Sequence, residues 1–190
     1  MDPRNARPRA VAAVAVLACA LVSSGCLVLS LQPAYSDESI AWDGALLGRW
    51  KDAEDNVEVT IERGEWRSYR VHYTHPVDEL DFTGHLTFVG NSLYFDLMPL
   101  RGQDFGPVLI PGHLIVRLQR DGGAWLVSGL DYDRARAALK KGGLPGAASA
   151  MDQRQNVVLT GSTAELRDWL RGRPAADFTE PARFEKVVVP

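Results

Sequence analysis

Apolar and polar residues alternate along six successive stretches of the chain, and residues that favour turns separate them. In "NVEVTIE" (56–62), Val57, Val59 and Ile61 fall on one face. After "RGE", the stretch "WRSYRVHYTH" (66–75) brings Tyr69, Val71 and Tyr73 together. "LDFTGHLTFV" (80–89) aligns Leu80, Phe82, Leu86 and Phe88, with Gly84 thinning the middle of the stripe. "LYFDLM" (93–98), "HLIVRLQ" (113–119) and "AWLVSGL" (124–130) continue the series. A repeat of two residues with Gly and Asn between the runs predicts antiparallel hairpins, each buried on one face. Six such strands in a row predict a meander that curls on itself, because closure protects the edges.

Beyond Leu130 the period lengthens. "DYDRARAALKKG" has Asp131 or Asp133 as an N-cap, basic residues at its far end and Gly142 as a stop. "STAE" (162–165) is a capping box opening a helix whose stripe is Leu166, Trp169 and Leu170. "NVVLT" (156–160) is compatible with a further strand, and "FEKVVV" (184–189) with a strand at the sheet edge. The expected fold is therefore mainly β: an antiparallel meander forming a barrel or half-barrel, with two short C-terminal helices.

The N-terminus follows none of these rules. Arg4, Arg7 and Arg9 precede the uncharged run "AVAAVAVLACALV", which is shorter than the ~20 residues of a membrane span. A basic head, a short apolar body and small residues after it are the layout of a secretory signal. We therefore expect residues 1–25 to be a signal peptide, residues 26–45 a linker, and residues 46–190 one β-rich globular domain. Fully extended, the linker could hold that domain up to ~60 Å from its point of attachment, although Tyr35, Ile40 and Trp42 call for packing partners. The whole chain has 21 basic and 24 acidic residues. The leader takes three of the former and only Asp2 of the latter, so the remainder is more acidic. No clustered basic face suggests nucleic acid as a partner.

Two cleavage sites compete in "LVSSGC" (21–26): an ordinary one within "SSG", and one directly before Cys26. Ser23-Ser24-Gly25-Cys26 resembles a bacterial lipobox, with Ser23 standing where that pattern usually has Leu. The resemblance implies a lipid-attachment site at Cys26 as the first residue of the mature chain. The cysteine count agrees: the chain has only Cys19 and Cys26, and this cut leaves no free thiol. The diacylglyceryl and N-acyl chains of such an anchor hold stably where a single chain does not. Leu27 in place of Asp implies, by the same resemblance, the outer membrane.

"GC", "LQPAYSDESIAWDGALLGRW" and "LTGSTAELRDWL" together resemble a family of bacterial lipoproteins with no assigned activity, which implies a place in the cell envelope. Gly48-Arg49-Trp50 also resembles the Gly-x-Trp of the first strand of lipocalins and other calycins. That resemblance implies that Trp50 seals a barrel end, with Arg183 available to cover it.

Candidate chemistry is sparse. His72 and His75, three apart on a strand, face opposite ways, and adding Asp78, Asp81 and His85 makes only a scattered metal set, better explained as the polar face of a hairpin. Asp131 and Asp133 are explained by capping. No nucleophile elbow and no phosphate loop is present. The stretch "PLRGQDFGPVLIPG" (99–112) is longer than a hairpin needs, and Arg101, Asp104 and Phe105 are its candidate binding residues. We expect no catalytic residues, metal or cofactor. The expected role is a membrane-anchored envelope module that binds a partner, such as another envelope protein, through the sheet rim or this loop. One alternative is a lipocalin-like carrier of a small apolar ligand lined by Tyr69, Phe82 and Phe95. The other is an envelope hydrolase using the scattered His and Asp.

Overall fold

The computed structural model describes residues 27–52, 54–100, 112–146, 148–152 and 155–188. The leader, Cys26, Arg101, Asp104 and Phe105 lie outside the described residues. Among the described residues, twelve strands and two α-helices follow one another along the chain. The first strands are β1 (Val28–Ser30), β2 (Ile40–Ala41), β3 (Gly48–Asp52), β4 (Val57–Arg63) and β5 (Tyr69–His75). Next come β6 (Asp78–Val89), β7 (Ser92–Pro99), β8 (His113–Asp121) and β9 (Ala124–Gly129). Helix α1 (Tyr132–Lys140), β10 (Ala150–Met151), β11 (Val157–Leu159), helix α2 (Thr163–Leu170) and β12 (Ala182–Lys186) complete the chain.

Eight strands close an antiparallel barrel in the ring order β3-β4-β5-β6-β7-β8-β9-β12. All the strands expected from alternation are staves of this ring. The C-terminal strand was expected at a sheet edge, and here the structure differs. Phe184 on β12 pairs with Asp52 of β3 on one side and Trp125 of β9 on the other, so β12 is the closing stave. Residues 132–181, with both helices, are thus inserted between the seventh and eighth staves.

The two faces of the staves serve two cores. Inward, Trp50, Ile61, Tyr69, Leu86, Phe95, Val116, Leu118 and Trp125 fill the barrel. Gly84 is needed there: a Cβ on it would stand 2.5 Å from the Phe95 ring. Outward, Tyr94 and Ile115 of the wall meet Leu166 and Leu170 of α2, Ala135 of α1, Leu159 of β11 and Phe178. Burying each large side chain of this kind stabilises by about 1.5–3 kcal/mol. The helices begin as the sequence requires. Asp131 accepts the Arg134 amide at 2.8 Å, and Ser162 and Glu165 form a complete capping box. Gly142 follows α1 at a φ of 66°.

The segment expected to act as a linker is docked along most of its length. The Leu27 amide donates to Asn156 Oδ1 at 3.1 Å. β1 runs parallel to β11 and antiparallel to the start of β8, on the edge that β9 vacates. Residues 31–39 then strap the outer wall of β6–β8, and β2 pairs with β6 at Leu86 and Thr87. β1 has only three residues, followed by Pro33 and the Ser-Asp-Glu-Ser cluster, and for this reason the segment reads as a linker.

Candidate functional site

The barrel has a plugged end, where the β4–β5, β6–β7 and β8–β9 turns lie, and an opposite end, where β7 finishes and β8 begins. The plug is built from the residues just before β3. Asp43 caps a single 3-10 turn, Gly44–Leu46, and Trp50 Nε1 donates to the Leu46 carbonyl at 2.7 Å. The Tyr69 hydroxyl accepts the Asp43 amide at 2.7 Å, and Trp42 stacks on the Tyr69 ring at 4.4 Å. Trp50 packs inside the barrel against this plug. The cation over it is Lys186 of β12, with Nζ 5.2 Å from the ring centre. Arg183, expected in that place, is turned to Asp121 and Glu185 on the exposed face.

Aromatic side chains are exposed around the plugged end. Trp66, at the β4–β5 turn, is 74% exposed, and it and Arg67 both have positive φ, 46° and 64°. Two successive non-glycine residues in the left-handed region are strained. Phe88, beside the β6–β7 turn, is 54% exposed. Between that turn and the β8–β9 hairpin runs a groove of about 430 Å³, lined among others by Phe88, Asn91, Ser92, Arg117, Arg120 and Trp125. Arg120 pairs with Asp43 at 3.1 Å and lies 4.6 Å over the Trp125 ring. Arg117 is buried with its guanidinium 4.0 Å over Phe178, and its Nε has no hydrogen-bond partner among the described residues.

A second polar cluster lies under the strap. Asp96 is buried; its carboxylate meets His113 Nδ1 at 2.6 Å and accepts the Ala34 amide at 2.7 Å. Next to it the Tyr35 ring stacks on His85 at 4.2 Å. Burial holds the His85 pKa below its usual 6.5, opposed by the charge of Asp96. Burial, with Asp96 and Asp37, raises the Tyr35 phenol above 10.0. Arg167 of α2 clamps the strap by donating to the Ala34 carbonyl at 2.6 Å and to the Phe88 carbonyl at 3.0 Å. These hydrogen bonds lock the strap to the wall.

The scattered metal set does not assemble. His72 pairs with Asp81 at 2.8 Å on the exposed wall, beside a shallow groove of about 290 Å³ that includes Glu62 and Arg70. His75 faces Asp78 across the β5–β6 turn, and His85 belongs to the strap cluster. Among the described residues no three His, Cys, Asp or Glu side chains group closely enough to hold a metal ion. Of the proposed cavity residues, Tyr69 and Phe95 point inward, where they form part of the packed core and contact each other edge to face at 5.4 Å.

Arg117, Asp96 and His113 escaped the sequence reading. For Arg117 and Asp96 the signal was a charged residue at an outward position in an otherwise apolar strand, "LIVRLQ" and "LYFDLM". Compared with known proteins, the chain matches no family model, no curated protein and no solved structure at a significant level.

Proposed function

We propose that this protein is a lipid-anchored envelope module that recognises another molecule through the rim at its plugged end, without catalysing a reaction. The observation that carries this reading is the pairing of a barrel filled by its own side chains with exposed Trp66 on the β4–β5 turn and exposed Phe88 at the end of β6. With the interior occupied, contacts to another molecule fall to the outside, and rigid aromatic side chains are the usual anchors of such contacts. The strain at Trp66 and Arg67 supports the assignment, because strained turns are retained where they present a side chain. The anchor rests on Cys26, the basic head and the apolar run before it.

A carrier is the second reading, and one observation favours it. The Tyr73 hydroxyl is buried without a hydrogen-bond partner among the described residues, on a stave near the end away from the plug. A small ligand on that reading sits above the packed rings rather than among them.

Full-length chain produced in a bacterium, extracted from the envelope and examined by intact and native mass spectrometry, tests both. The expected result is a chain that starts at Cys26 with three acyl chains, and that loses its partner when Trp66 and Phe88 are both replaced by Ser. A chain that keeps its first 25 residues, or carries a bare thiol, removes the anchor. A small apolar molecule that stays bound in the double variant selects the carrier.

A further inference from the structure

Charged groups buried in a protein are matched by a partner of opposite sign or by hydrogen bonds, because an unmatched ion out of water is strongly unfavourable. Asp96 obeys this rule through His113 and the Ala34 amide. Asp52, also buried, accepts the Glu54 amide. Arg117 does not. It is 9% exposed, it has neither a carboxylate nor a hydrogen-bond acceptor among the described residues, and a ring face of Phe178 is its one polar-compatible contact. It also lines the groove of about 430 Å³ at the plugged end.

We propose that this groove binds an anionic group, a carboxylate or a phosphate, carried on an apolar tail, with Arg117 as the anion's main partner. This rests on reading the domain as a binding module and names the chemistry it would take. A guanidinium supplies several donors in a planar fork that suits both anions. Asn91 and Ser92 offer amide and hydroxyl donors on the facing turn. The one carboxylate of the groove, Asp43, is already paired with Arg120, so it leaves Arg117 uncompensated. The apolar part of the ligand has the exposed Phe88 and the half-buried Leu93 to lie on. Beyond the Leu93–Leu118 pair, β8 has no partner on its β7 side, which opens the groove to solvent.

The test is calorimetry on the full mature chain in non-ionic detergent, with hexanoate, acetate and hexanol as probes. Hexanoate is expected to bind, with acetate and hexanol each weaker by about tenfold or more, since each lacks one half of the recognition. Arg117→Met is expected to abolish hexanoate binding while leaving the free chain at least as resistant to heat, because it removes an unmatched charge. A merely structural arginine would do the opposite, and loss of thermal stability with unchanged hexanoate affinity overturns the proposal. Phe88→Glu changes an exposed side chain and does not threaten the fold. It is expected to weaken hexanoate by about tenfold by placing a second anion beside the first. Should Arg117→Met fail to fold, unchanged affinity in Phe88→Glu overturns the proposal by itself. No binding by hexanoate also overturns it, and acetate binding as tightly as hexanoate overturns the apolar half. None of these results alters the acylation or location of the chain, so a failure here is separate from a failure of the anchor.

Discussion

His85 shows how one buried ring can give the domain a pH response. Its stacking on Tyr35 takes it out of water, and burial outweighs the favourable charge of Asp96, with His113 acting in the same direction as burial. The folded chain therefore holds this proton less tightly than the unfolded chain, whose value stays near 6.5. As pH falls through about 6.5 the unfolded state takes up the proton first, and stability declines until the pH passes the lower folded value. His85→Phe keeps a ring against Tyr35 and removes the proton. Urea unfolding at pH 7.5 and 5.5 is expected to show a smaller loss on acidification in the variant than in the wild type. Equal losses would mean that the imidazole contributes nothing to the slope. The alternation "FTGHLT" did place His85 on the outer face, but nothing local to it announced Tyr35. That contact joins residues 50 positions apart and exists only because the strap docks.

At the level of elements, strands with enough length to show a period were legible and most short ones were not. β4 through β9 read directly from alternation, and both helices read from their caps, because each signal is local. β11 falls inside the expected "NVVLT" strand (156–160). β1, β2 and β10 are two or three residues long and draw their stability from neighbours, with β1 held between β8 and β11. β12 was seen as a strand, but its role as closing stave depends on pairing with β3 and β9, more than fifty residues away. The candidate site was less legible than the fold. Arg117 becomes exceptional only when its surroundings prove to lack an anion. Packing inside the barrel makes a sharper claim. Gly84 on β6 leaves the space that the Phe95 ring of β7 occupies. Gly84→Ala is expected to destabilise by about 1–3 kcal/mol through overpacking, despite the higher strand propensity of alanine. Adding Phe95→Leu to the same chain should recover part of that loss. A double-mutant cycle by chemical denaturation measures the coupling. An additive cycle would show that the ring and the backbone do not compete for this space.

The whole molecule gives the proposed anchor a definite geometry. An extended linker of residues 26–45 would have let the domain float far above a bilayer. The docking of Leu27 on Asn156, followed at once by β1, removes that freedom. If the lipid is on Cys26, the first fixed residue is one peptide away, a step of about 3.8 Å. The wall that bears β1 is then the wall that faces the membrane. Helix α1 belongs to this side: the Tyr132 hydroxyl donates to the Gln155 carbonyl, next to Asn156, and Ala135 packs in the core that β1 shares. Its exposed residues include Arg134, Arg136, Lys140 and Lys141, a composition suited to an anionic surface. β4 lies four staves from β8 in either direction around the ring, so its outer face is turned away. If cleavage leaves Cys26 first and acylated, the chain keeps no free thiol and single-cysteine labelling is clean. A fluorophore at Arg136→Cys is therefore expected to be quenched strongly by quencher-bearing lipids in reconstituted vesicles, and one at Glu62→Cys weakly. Both positions are exposed, so burial in the protein does not bias the comparison. Equal quenching at the two would mean that the domain tumbles on its anchor, and the docked N-terminal strand would then have to release from the barrel wall when the chain is membrane-bound.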